Sequence, residues 1–109
     1  MSVVIVASSF EKEAKRLIKK YRSLAQEIVE LVGSLSENPA QGTPIGRDCY
    51  KIRMAIKSKG KGKRGGARVI TCVVALSESV TLLSIYDKAE RATISDEELK
   101  QMLKAADLL

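Results

Sequence analysis

The sequence predicts an α+β protein: a small single domain in which an N-terminal strand and a helical hairpin pack on an antiparallel sheet, followed by a C-terminal helix. Three observations carry this. Apolar residues recur at helical spacing from Phe10 to Leu35 and switch to a period of two from Tyr50. Three strand-like runs then follow one another across short links, which favours an antiparallel meander over parallel crossovers. A chain of 109 residues is long enough for one domain, residues 1–109, and too short for two.

Taken in order, Val3, Val4, Ile5 and Val6 form a β-branched run that reads as a short buried strand, bounded by Ser8 and Ser9. Ser8 and Glu11 have capping-box spacing, and Phe10, Ala14, Leu17, Ile18 and Tyr21 share one helical face. The stripe continues through Leu24, Ile28, Leu31, Val32 and Leu35, but Ser23 with Gln26 offers a second capping box. The choice is therefore a helical hairpin rather than one long helix. Asn38, Pro39, Gly42, Pro44 and Gly46 read as a loop.

From Tyr50 onward, Tyr50, Ile52, Met54 and Ile56 alternate with Lys51, Arg53 and Lys57, the pattern of a half-buried strand with a basic outer face. Arg68 to Leu76 is apolar on both parities, as a central strand is. Val80 to Lys88 is a further strand, with Tyr86 and Lys88 on one face and Leu83 and Ile85 on the other. Ser95 caps a last helix, with Asp96, Glu97 and Glu98 in its first turn and Leu99, Met102 and Leu103 on its apolar side. With the helix pair on one face of the sheet, the opposite face is expected to stay open and to display Lys51, Arg53, Lys57, Tyr86 and Lys88.

The net charge of +6 is concentrated in the middle of the chain. Residues 1–48 are nearly neutral and the segment from Glu78 onward is net acidic. Residues 49–77 carry eight basic side chains and no acid. Such an element suits a polyanion. Its densest stretch is KSKGKGKRGGAR, residues 57–68, where Lys57, Lys59, Lys61, Lys63 and Arg64 stand among glycines. Walker spacing fails there, because no Gly-Lys-Ser/Thr ends it. A merely solvated hairpin tip is the plain alternative, but a basic loop beside a half-basic strand concentrates more charge than solubility needs. Nucleic-acid binding explains both features, with Lys and Arg on phosphates and Gly allowing close approach of the main chain. Arg91, just beyond the last strand, joins these residues as an RNA-binding candidate.

His is absent and Cys49 and Cys72 are the only cysteines, so no familiar zinc ligand set can be assembled. We expect no metal and no cofactor. VVIVA, residues 3–7, is too short for a signal core or a membrane span. The expectation is a cytoplasmic protein without membrane association, whose two reduced thiols pack between strands. Tyr86 stays open between two roles: a strand tyrosine packed by its ring, or a functional group that stacks on a base or donates a proton.

RDCYKIRMAI (residues 47–56), KGKGKRGGARVI (59–70) and LLSIYDKAE (82–90) resemble the RelE/HigB toxins of bacterial type II toxin–antitoxin modules, in the RelE/ParE superfamily. The likeness spans nearly the whole chain. It implies a RelE-like fold and an mRNA interferase that enters the ribosomal A site, cuts the messenger there and is silenced by a cognate antitoxin protein. The implied reaction is metal-independent attack by a ribose 2′ hydroxyl on the adjacent phosphate, leaving a 2′,3′-cyclic phosphate. It needs a base, an acid and positive charge around the phosphorane.

By position, the resemblance puts Lys51, Arg53 and Arg68 among the basic residues of the active site. The RelE type has a lysine base where this chain has Arg53, and arginine is effectively never deprotonated. Arg53 is then a charge stabiliser, and Lys51 the base candidate if neighbouring cations favour its neutral form. An arginine and a tyrosine of the RelE type are replaced by Ala89 and Ser95. Tyr86, with Lys88 beside it, becomes the preferred acid or stacking group by physical argument. Two rivals remain, a ParE-like toxin that inhibits DNA gyrase and a non-catalytic RNA-binding module. The acidic last helix raises a regulatory option, since it suits a cover over the basic face that a partner displaces.

Overall fold

The computed structural model describes residues 1–109. The β-branched run forms β1 (Val3–Val6), which is not the buried strand expected but a largely exposed one at the edge of the sheet, and the helical stripe forms α1 (Ser8–Lys20) and α2 (Leu24–Glu37). There follow β2 (Thr43–Gly46), β3 (Cys49–Met54), β4 (Ala67–Val74), β5 (Ser79–Asp87) and α3 (Asp96–Ala105). Short 3-10 turns at Lys57–Lys59 and Ala75–Ser77 follow β3 and β4. The sheet runs β1-β5-β4-β3-β2 and is mixed: β2 to β5 form antiparallel pairs, whereas β1 lies parallel to β5.

The expected meander of three strands is present, and a fourth strand extends it. Residues 43–46, read from their prolines and glycines as loop, form the edge strand β2 against β3. Pro44 is tolerated because an edge strand has one side free of ladder bonds. The turn between β2 and β3 places Arg47 and Asp48 at φ 57° and 60°, the left-handed conformation that hairpin turns need.

Two expected caps differ from the structure. Ala7 donates its N–H to the Leu82 carbonyl, so the chain stays in the sheet until α1 begins and Ser8 is already helical. The Ser23 hydroxyl is drawn to the Glu27 carboxylate and to Ser58 rather than to the backbone of α2. The break at residues 21–23 nevertheless makes the hairpin. At Ser95 the expected cap is present and forms a full capping box: its hydroxyl accepts from the Glu98 N–H, and the Glu98 carboxylate accepts from the Ser95 N–H.

Each face of the sheet has its own core. α1 and α2 lay Phe10, Leu17, Leu24 and Leu35 over Ile52, Val69 and Leu82. On the other face α3 lays Leu99 and Leu103 over Ile70, Leu83 and Tyr86. Fully burying a Leu contributes roughly 1.5–3 kcal/mol, so even the smaller cluster holds α3 in place. The open face expected from the sequence is thus partly covered, by the acidic helix considered as a cover.

A β-bulge changes the parity of β5. Ile70 pairs with Ser84 and Thr71 with Leu82, so Leu83 is the extra residue, and its carbonyl accepts a hydrogen bond from Ser9 Oγ at 2.5 Å. Leu83 and Ile85, expected on one face, therefore lie on opposite faces, Leu83 under α3 and Ile85 under the helical hairpin.

Candidate functional site

Register alone assembles the centre of the site. Arg53 of β3 is opposite Arg68 of β4, and Arg68 is opposite Tyr86 of β5, so the three form one row across neighbouring strands. Directly opposed residues have Cβ atoms about 4.5–5.5 Å apart. Lys51 stands two residues along β3 from Arg53, on the same face, opposite Ile70. It helps to line a small cleft of about 110 Å3 between the sheet and the start of α3, with Ile45, Thr93, Ser95 and Asp96. Of the five predicted catalytic residues, Lys51, Arg53, Arg68 and Tyr86 are thus on one surface. Lys88 is at its edge, with its backbone N–H on the Gly66 carbonyl and its ammonium 3.2 Å from the Ala92 carbonyl.

These side chains differ sharply in freedom. Arg53 is exposed and has no acidic partner. Arg68 is only 4% exposed, and its guanidinium donates to the carbonyls of Lys63 (2.9 Å), Ala67 (3.1 Å) and Arg64 (3.1 Å). Tyr86 is equally buried, with the Arg91 guanidinium 5.6 Å above its ring and no well-formed hydrogen bond on its hydroxyl. Burial pushes its pKa up, against the opposing pull of the Thr93 hydroxyl and the Arg68 and Arg91 charges. The phenol is therefore protonated at neutral pH, as a proton donor must be. Arg91 is itself occupied: it binds both Glu98 oxygens at 2.7 Å and the Thr93 carbonyl.

The glycine-rich segment is built rather than loose. Lys57 begins a 3-10 turn instead of continuing the strand, and its N–H donates to the buried Glu27 carboxylate at 2.8 Å. Lys59 turns inward, its side chain only 10% exposed, and its ammonium meets Asp87 Oδ1 at 2.5 Å. Asp87 also accepts from Tyr21 Oη at 2.6 Å and from the Ala89 N–H at 2.9 Å. Burial alone would raise the pKa of this carboxyl, but the bonds from Lys59, Tyr21 and Ala89 prevail and lower it to about 2. At the other end, Gly66 passes so close to the Met54 carbonyl that a Cβ would overlap it. Gly60 and Gly62 have φ of 74° and 61°, left-handed turns that suit glycine.

The anchors of this loop, Glu27, Asp87 and Tyr21, were not among the candidate residues. A sequence signal exists for two of them. Glu27 lies three residues after Leu24 on the apolar stripe of α2, and Asp87 has the inward parity of Ile85. Of the basic candidates, half-buried Lys51 and the exposed Arg53, Lys57, Lys61, Lys63 and Arg64 have no acidic partner, and the Lys63 and Arg64 carbonyls on the Arg68 guanidinium set the loop beside the Arg53–Arg68–Tyr86 row. No group of three or more His, Cys, Asp or Glu side chains is placed to hold a metal ion. No helix is long and apolar enough to cross a membrane.

Residues 4–109 match the family model described as the RelE toxin of the RelE/RelB toxin–antitoxin system. The chain belongs to the RelE toxin family. Among solved structures, this RelE-family chain is similar to an arginine-to-alanine mutant of E. coli RelE in the free state, with 17% identity, a TM-score of 0.62 and coverage of 94% of this chain and 95% of that one. It is also similar to a chain of the intact E. coli RelBE toxin–antitoxin complex, at 18% identity and TM-score 0.60 over 80% of this chain and 96% of that one. A metal-bound toxin from Helicobacter pylori matches at 14% identity and TM-score 0.54, over 83% and 98%. At these identities the likeness is one of fold, and it agrees with the α+β architecture.

Proposed function

We propose that this RelE-family toxin is a ribosome-dependent endoribonuclease that cuts mRNA in the A site and thereby inhibits translation, under the control of a cognate antitoxin. The observation that carries the reading is the row Arg53–Arg68–Tyr86 beside a loop whose exposed Lys61, Lys63 and Arg64 have no acidic partner. A 2′ hydroxyl attacking its neighbouring phosphate builds a dianionic phosphorane, and Arg53 is free to face it. Lys51 is the candidate base and Tyr86 the candidate acid. Lys57, Lys61, Lys63 and Arg64 track the flanking phosphates. Lys59 and Arg68 act one step back, as positioning residues that hold the loop in register with the row.

A second reading draws on the burial of Tyr86 and on the three backbone carbonyls that the Arg68 guanidinium already holds, which favour a basic module that binds RNA without cutting it. Induced expression followed by primer extension on a translated message separates the readings. Growth arrest with ribosome-dependent cuts supports cleavage. Arrest with intact messages and DNA breaks points to gyrase inhibition, and RNA binding without either effect leaves the non-catalytic module.

A further inference from the structure

Cys49 and Cys72 face each other across β3 and β4 as Cα partners, and both belong to the core under α3. The next bond along the ladder fixes the kind of pair. Val73 donates its N–H to the Asp48 carbonyl at 2.9 Å, so residues 48 and 73 form the hydrogen-bonded pair and residues 49 and 72 the non-hydrogen-bonded one. In that position Cα atoms are about 4.5 Å apart and side chains are at their closest. Disulfides accept Cα separations of about 4.4–6.8 Å, so the pair lies at the short end of the permitted range. Both thiols point the same way: Cys49 Sγ is 3.4 Å and Cys72 Sγ 4.0 Å from the Arg47 carbonyl oxygen.

Both cysteines are buried, at 1% and 4% exposed, and of the two only Cys72 borders a groove. Cys72 helps to line a surface groove of about 500 Å3 beneath the end of the chain, with Arg47, Val74, Leu76, Asp107 and Leu109. Cys49 lies deeper, behind it. The two thiols share their face and their two strands with Lys51, Arg53 and Arg68. At about 3.3 Å per residue, Cys49 is roughly 7 Å along β3 from Lys51 and 13 Å from Arg53.

We propose that Cys49 and Cys72 are a reversible dithiol/disulfide couple, oxidised through this groove by a low-molecular-weight disulfide of the glutathione class, which locks β3 to β4 beside the candidate site. In the first step the Cys72 thiolate, having lost its proton to water, attacks one sulfur of the oxidant, and one thiolate leaves with the electron pair of the broken S–S bond. In the second the Cys49 thiolate attacks the Cys72 sulfur and expels the other. The two cysteines lose two electrons and two protons, and one disulfide is reduced to two thiols. Burial pushes the Cys49 thiol up to about 12, with the proximity of Cys72 adding to it, and burial raises Cys72 as well. Because the thiolate is the nucleophile, exchange is slow at neutral pH and quickens as pH rises, by about tenfold per pH unit below the thiol pKa.

The test uses the full chain and oxidised glutathione. After incubation the protein is quenched in acid, unfolded, alkylated and weighed intact. The expected product is a monomer lighter by two hydrogen atoms that takes up no alkyl group, returns to the dithiol with a reductant and forms faster at pH 9 than at pH 7. Cys49→Ser should stop at a single glutathione adduct on Cys72, whereas Cys72→Ser should acquire none. Two alkyl groups per chain after prolonged oxidation, a stable glutathione adduct on the wild type, or disulfide-linked dimers in place of the monomer would overturn the proposal. The wild-type measurements decide the matter even if a serine variant fails to fold.

Discussion

Asp87→Asn tests whether the basic loop is held from inside the protein. The carboxylate is fully buried and meets the Lys59 ammonium at 2.5 Å, the Tyr21 hydroxyl at 2.6 Å and the Ala89 N–H at 2.9 Å, with Lys20 Nζ at 3.9 Å. Asparagine keeps the shape and one acceptor oxygen but leaves Lys59 without a counter-charge. Removing one partner of a buried ion pair costs about 3–5 kcal/mol, and because Lys59 sits on a surface turn and can swing its ammonium into water, the lower figure applies. A loss of about 3 kcal/mol corresponds to a fall in Tm of roughly 12 °C for a domain of this size.

The pH dependence gives an independent measure of the same contact. The Asp87 pKa is lowered from 3.8 to about 2 in the folded protein. That gap contributes about 2 kcal/mol, in full well above the unfolded value and lost as pH falls through the folded one. Urea unfolding of wild type and Asp87→Asn should therefore show a wide stability gap at pH 7 that has mostly closed by pH 2. A gap below about 1 kcal/mol at pH 7, or one of equal size at both pH values, would refute the assignment of Asp87 as the loop's anchor.

Three further outcomes are expected. Tyr86→Phe should slow single-turnover cleavage by about 100-fold or more if the hydroxyl is the acid. If the ring mainly stacks on a base, Phe should be tolerated and Ala should do the damage; if it is only core, activity and Tm should fall together in both variants. Neutralising Lys61 and Lys63 together should weaken ribosome or RNA binding and lower the salt slope by about 1–2, while leaving Tm unchanged because neither side chain has a partner to lose; an unchanged slope would make the loop a solubilising tip. Cleavage should survive EDTA under conditions where ribosome integrity is verified separately, and its loss there would argue against the proposed chemistry.

The helical hairpin, the three-strand meander and the capped last helix were legible because each is written in local periodicity and cap chemistry. The concentration of cations in residues 49–77 was equally local. What local pattern leaves open is pairing between distant segments. β2 hid behind Pro44 and Gly46 because proline and glycine mark loops and edge strands alike, and only a neighbour's ladder tells them apart. The bulge at Leu83 reversed the parity read from alternation, since one extra residue exchanges the faces of everything beyond it.

The same division runs through the candidate site. Composition nominated Lys57, Lys59, Lys61, Lys63 and Arg64 as equals, because charge is a property of residue type. Tertiary structure separated them by what lies opposite. Lys59 met Asp87 from the far end of β5, Arg68 met the carbonyls of its own loop, and Arg53, Lys61, Lys63 and Arg64 met only solvent. The sequence by itself determined that a basic surface exists and which strands bear it. Which of its cations hold the scaffold and which are free for a ligand was decided by burial and by partners that only the fold brings up, such as Asp87, 28 positions from Lys59.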